Sequence, residues 1–197
     1  MAAERLTNPL TNQFIMKKIV VIVTALLIAG SAFAQTKEDI DASVARVLKL
    51  TELCAKTPKS SGVAEVDGCV SNMLAAAQAA MKNSTSLESL YGKLYGENGL
   101  LVEGKQIVVA DVAALLPDIL ALSKAVTEQA TSIAEAGKQA AEAVKKVKEI
   151  KNPMAAAKVV SSTKFIADVT PVLVDESAAQ VKVIAAMADA AKTAANQ

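Results

Sequence analysis

The sequence predicts an all-α fold, an antiparallel four-helix-type bundle with kinked long helices and one irregular insert containing glycine and tyrosine. Three observations predict it. Alanine is heavily over-used and no stretch alternates apolar with polar residues at the period of a strand. Apolar residues instead recur at three- and four-residue steps, the spacing of one helical face. Clear breaks divide the chain into long segments joined by short connections, which makes neighbouring helices antiparallel by default.

The first segment lies outside that fold. Met16-Lys17-Lys18 supplies a basic start, Ile19 to Ala29 is an uncharged apolar run, and Ala32-Phe33-Ala34 gives the small-x-small pattern before Gln35. These are the three parts of a secretory signal, with Ala32, Ala34 and Gln35 marking the cleavage site. The apolar run is too short for a permanent span. Residues 16–34 are therefore expected to be a cleaved signal peptide, and residues 1–15 an unstructured leader or a mis-called start. Residues 35–197 form the expected single domain, periplasmic or extracellular.

Helix one is expected over Lys37–Thr57, capped by Thr36, with Ile40, Val44, Val47 (or Leu48), Leu50 and Cys54 on its apolar face. Pro58-Lys59-Ser60-Ser61-Gly62 breaks it. Helix two is expected over Val63–Lys82, with Val66, Cys69 (or Val70), Met73, Ala77 and Ala80 (or Met81) inward. Cys54 and Cys69 flank the break at the same end of a hairpin, so a disulfide is expected to staple it. Closing such a loop contributes about 3 kcal/mol in the chain-entropy picture.

Asn83–Gln106 is read as a bent insert with a short helix begun at Ser84 or Thr85, because Gly92, Gly96, Gly99 and Gly104 crowd it. Tyr91 and Tyr95 lie in this insert. They are a candidate partner-binding pair, set against the simpler reading in which both rings cover the end of the bundle.

Helix three is the clearest element, over Ile107–Lys151. With a positions at Ile119, Val126, Ile133, Ala140 and Val147, the d positions are Leu122, Gln129, Ala136, Ala143 and Ile150. Gln129 is the one polar residue in that seam. Glu128, Glu135, Glu142 and Glu149 share a solvated face. Seven residues of helix separate neighbours by ~10 Å, too far for one cation. Asn152-Pro153 reads as a cap and first turn. Helix four follows over Pro153–Val169, and Thr170-Pro171 restarts or kinks it before a last segment to about Ala195.

Composition narrows the function. From Gln35 onward, 18 Lys and Arg face 19 Asp and Glu, and Arg46 is the only arginine. That balance has neither the basic excess nor the basic stripe of a nucleic-acid binder. The chain has no histidine, which removes histidine-based triads and zinc sites. No phosphate loop, ligand cluster or nucleophile elbow is present. No catalytic residue, metal or cofactor is therefore expected.

The expected role is that of a non-catalytic exported protein working through a protein partner or self-association. Two alternatives stand beside it. One is a membrane-active, toxin-like or pore-forming component using Leu100–Leu122. Against it, Glu103, Lys105, Asp111 and Asp118 lie within the stretch, and each acid or lysine at mid-membrane costs about 2.5–3.5 kcal/mol. No stable membrane span is expected after Gln35. The other alternative is an enzyme built on carboxylates or lysine, which would need two or more carboxylates converging inside the bundle.

Overall fold

A computed structural model describes residues 37–96, 101–102, 105–106, 112–147 and 153–195. Four helices dominate: α1 (Lys37–Cys54), α2 (Ala64–Tyr95), α3 (Val112–Val147) and α4 (Pro153–Ala195). Between α2 and α3, β1 (Leu101–Val102) pairs antiparallel with β2 (Lys105–Gln106), Leu101 opposite Gln106. The chain is an all-α helical bundle, as expected. The leader, the signal segment with Ala32, Ala34 and Gln35, the Thr36 cap and the Asn152 cap lie outside the described residues.

The three long helices each pack against the other two, and α1 packs against α2 and α4. Cross-helix contacts fix the directions. Ser43 meets Ser84 and Thr51 meets Met81, so α1 and α2 run antiparallel. Met73 meets Thr170 and Ser84 meets Glu176, so α2 and α4 run parallel. Asn72 meets Gln139 and Asn83 meets Gln129, so α3 runs against α2.

The core lies in two main clusters. One joins Ile40 to Leu87, Leu90, Tyr91, Leu94 and Tyr95 of α2, Ile119, Leu122 and Val126 of α3, and Val183 to Ala191 of α4. The other joins Leu50 to Cys69–Ala80 of α2, Ile133 and Ala136 of α3, and Phe165–Val174 of α4. Ala76, Ala77, Ala80 and Ala136 are buried in this second cluster. Methyl-sized side chains there let α2, α3 and α4 approach closely.

Three boundaries differ from the expectation. α1 ends at Cys54, and a turn through Thr57 closes its last carbonyls: Thr57 Oγ1 donates to Cys54 O at 2.6 Å and Lys56 N to Leu53 O at 3.0 Å. The expected insert is mostly helix, because α2 continues to Tyr95. Leu87, Leu90, Tyr91, Leu94 and Tyr95 follow three- and four-residue steps and are all buried. Their packing outweighs the roughly 1 kcal/mol that Gly92 costs inside a helix. Ser84 is therefore an interior residue rather than a cap, and Thr85 Oγ1 donates back to Met81 O at 3.2 Å. Gly96, at φ 78°, ends the helix. Finally, α4 runs unbroken through Thr170-Pro171.

The face of α1 also differs. Val44 and Leu48 are exposed, at 42% and 61%, while Ile40, Ser43 and Leu50 are buried. A serine sits where a valine was expected because a buried carboxylate faces it.

The loop before α2 is organised by one side chain. Val63 caps the helix without a side-chain hydrogen bond. Asp67 reaches back instead, accepting from Ser60 Oγ at 2.6 Å, Ser61 N and Oγ at 2.8 Å each, and Gly62 N at 3.1 Å. Burial alone would raise this carboxyl. The bonds from Ser60, Ser61 and Gly62 outweigh it and lower the group to about 2. Gly62 adopts φ 79°, which suits a residue without Cβ.

Candidate functional site

Each helix places polar residues at one shared level, although α4 also buries Ser162 and Thr170 outside it. On α1, Ser43 and Arg46 fall between Ile40 of one cluster and Leu50 of the other. On α2, Asn83 and Ser84 fall between Ala80 and Leu87. On α3, Gln129 falls between Val126 and Ile133, and on α4, Glu176 and Gln180 fall between Val174 and Val183. The result is a polar belt across the bundle, sandwiched between two apolar halves.

Glu176 is its centre and is fully buried. Its Oε1 accepts from Ser43 Oγ at 2.6 Å, from Ser84 Oγ, and from Gln180 Nε2 at 3.0 Å. Its Oε2 accepts from Arg46 Nε at 2.7 Å, and the Arg46 side chain is 24% exposed. Gln180 Nε2 also lies 2.8 Å from Ala80 O and 2.6 Å from Ser84 Oγ. Gln129 Nε2 donates to Gln180 Oε1 at 3.0 Å, and Asn83 Nδ2 donates to Gln129 Oε1 at 2.6 Å. One chain of hydrogen bonds thus runs from Arg46 through all four helices to Asn83. A buried carboxylate is costly unless paired and hydrogen-bonded, and here both oxygens are engaged. Ser177 Oγ is the one buried side-chain oxygen with no partner among the described residues.

The belt opens at two grooves. A small one of about 130 Å³ lies between α1 and α2, with Ile40, Ser43, Val44, Leu48, Ser84 and Leu87 among its walls. A wider one of about 500 Å³ lies between α2 and α3, over Ala76, Ala79, Asn83, Gln129 and Ala136, with Lys82, Glu128 and Glu135 at its rim.

The sequence-predicted residues fall elsewhere. Tyr91 and Tyr95 are buried on α2, their ring centroids 5.0 Å apart at 58°. They belong to the core cluster and form no exposed patch. Burial, with the neighbouring Tyr91, pushes the Tyr95 hydroxyl up to about 12. Cys54 and Cys69 are free thiols, so the expected disulfide is not formed. Cys69 faces α3, its Sγ donating to Ala136 O at 3.7 Å, while Cys54 sits half-buried at the end of α1. Burial raises both thiols, Cys69 to about 11.

Glu128 and Glu135 are exposed, and Glu128 pairs with Lys124 at 3.9 Å. Among the described residues no group of three or more His, Cys, Asp or Glu could hold a metal ion. No described helix is long and apolar enough to cross a membrane. Within the Leu100–Leu122 stretch, Ile119 and Leu122 are buried in the core.

The sequence flagged two members of the belt, Arg46 as the lone arginine and Gln129 as the polar d position. It missed Ser43, Asn83, Ser84, Glu176 and Gln180. Glu176 and Gln180 had a usable signal, since they lie one turn apart on the apolar face of α4 between Leu173 and Val183.

Comparisons with protein-family models, curated proteins and solved structures gave no match.

Proposed function

We propose that this chain is an exported helical-bundle protein with a non-catalytic role, acting through surface contacts with a protein partner or with itself. The observation that carries the reading is the belt. Its polar groups are turned on one another: Arg46, Ser43, Ser84 and Gln180 are spent on Glu176, and Asn83 and Gln129 complete the chain. Such a layer fixes which helix faces which and in what register, the best-attested use of buried polar groups in bundles.

The carboxylate enzyme asked for two converging acids, and Glu176 is the single buried acid among the described residues. Burial of Ile119 and Leu122 favours the bundle over membrane insertion. Export is carried by the tripartite pattern of residues 16–34. Because α1 starts at Lys37, cleavage after Ala34 leaves all four helices whole.

Fractionation of the native host, followed by light scattering on the purified protein, tests this reading. The expected result is protein in the periplasmic or culture fraction, with a mass above the monomer alone or with a co-purifying protein. Cytoplasmic protein, monomeric and alone at every concentration, would refute it.

A further inference from the structure

We propose that α1 is a strap: it opens as a unit from a body made by α2, α3 and α4, and the seat it leaves accepts α1 of a second copy of this chain. The proposal rests on the reading above, that the protein works by contacts that include self-association.

The three long helices hold together without α1. Each packs on both others, and both main clusters draw on all three. To those clusters α1 contributes one buried apolar side chain each, Ile40 and Leu50, with Leu53 and Cys54 half-buried at its end. Elements with few buried apolar contacts open below the free energy of global unfolding.

The rest of the attachment is largely polar, and water reaches it at Arg46. Arg46 meets Glu176 at 2.7 Å with its side chain a quarter exposed. When α1 lifts, Ser84 and Gln180 stay on the Glu176 carboxylate. Water takes the places of Ser43 and Arg46, so opening strands no charge in an apolar cavity.

The hinge is already separated from the body. Ser60, Ser61 and Gly62 are tied to Asp67 of α2. The turn at Ala55–Thr57 is tied back to α1. Pro58 and Lys59 between them carry the movement, and α2 keeps its first turn when α1 swings.

The occupant follows from the seat. It takes an apolar residue, a hydroxyl, a cation and a second apolar residue at steps of three, three and four: Ile40, Ser43, Arg46 and Leu50. Arg46 is the only arginine after Gln35. An open strap exposes Ile40 and Leu50 beside the already exposed Val44 and Leu48, so recapture is favoured, and concentration decides whether the seat is its own or a neighbour's. Exchange of an identical element between copies reproduces every contact of the closed monomer.

Two measurements on the unmodified chain test this. Native-state hydrogen exchange reads opening, and α1 amides should exchange on the order of tenfold or more faster than those of α2–α4. Equal amounts of light- and heavy-isotope protein are then unfolded, refolded together at high concentration and treated with a lysine cross-linker. Lys49 of α1 and Lys82 of α2 are exposed and lie near the Thr51–Met81 contact. In the dimer fraction, about half of the α1–α2 links should join a light to a heavy chain, as random pairing of swapped chains requires.

Protection of α1 equal to that of α4 would overturn the strap. A dimer with only same-isotope α1–α2 links would overturn the exchange while leaving self-association through another surface. Absence of any dimer would overturn the second copy as occupant, leaving the broader interaction reading to a different protein partner.

Discussion

Replacing Arg46 with methionine isolates the electrostatic part of the belt. The change keeps a long apolar stem on α1 and removes the cation from Glu176, whose Oε2 then loses its 2.7 Å partner. Breaking a buried ion pair by deleting one member costs about 3–5 kcal/mol. Two features reduce that here. The Arg46 side chain is 24% exposed, so water reaches the vacated site. Ser43, Ser84 and Gln180 still donate to Oε1. The expected cost is about 2 kcal/mol, which for a domain of this size lowers Tm by about 4–8 °C. Adding Glu176→Gln removes the uncompensated charge, so the double variant should recover part of that loss. Urea unfolding followed by circular dichroism at constant m-value reads each variant. The reasoning fails if Arg46→Met lies within about 0.5 kcal/mol of the parent, or if the two substitutions simply add.

Three further outcomes follow from the same geometry. Asp67→Asn should cost about 1 kcal/mol at neutral pH, the full shift being discounted for solvent access. Because the folded carboxyl is lowered to about 2, its contribution is complete above the unfolded value near 4 and disappears as pH falls toward 2. Melting curves of parent and variant should therefore converge at the acid end. Native protein treated with a maleimide near pH 8 should label Cys54 slowly and Cys69 hardly at all, since burial raises both thiols. Both should label after denaturation without reductant, and a mass showing neither labelled would mean a bridge. Gln129→Leu orphans the Asn83 amide and the Gln180 oxygen. It should destabilise by about 1–3 kcal/mol despite the apolar gain, and a more stable variant would show the belt to be dispensable.

Much of the architecture was legible because helices announce themselves by period. The seam Ile119, Leu122, Val126, Ile133 and Ala136, with Gln129 as its exception, is the buried face of α3. The break at Pro58–Gly62 is a loop, although its organiser, Asp67, lies in the following helix. Glycine misled the reading of the insert: Gly92 suggested a loop, yet the leucines and tyrosines around it had the spacing of a packed face. α1 was misread for a different reason. Hydrophobicity favoured Val44 inward, while the partner that draws Ser43 inward, Glu176, lies on the last helix. A hydrogen-bonded layer contributed by four segments has no local signature, because each member looks like an ordinary polar residue until the helices meet.

Export is tested most directly by the intact mass of the protein recovered from its native host. A species beginning at Gln35, free or cyclised to pyroglutamate, found outside the cytoplasm, is the predicted result, and it confines the search for partners to the periplasm and beyond. A species that retains residues 16–34 would contradict it, because the segment would then be an anchor or would never be processed, and the argument for export through a cleaved signal would fall.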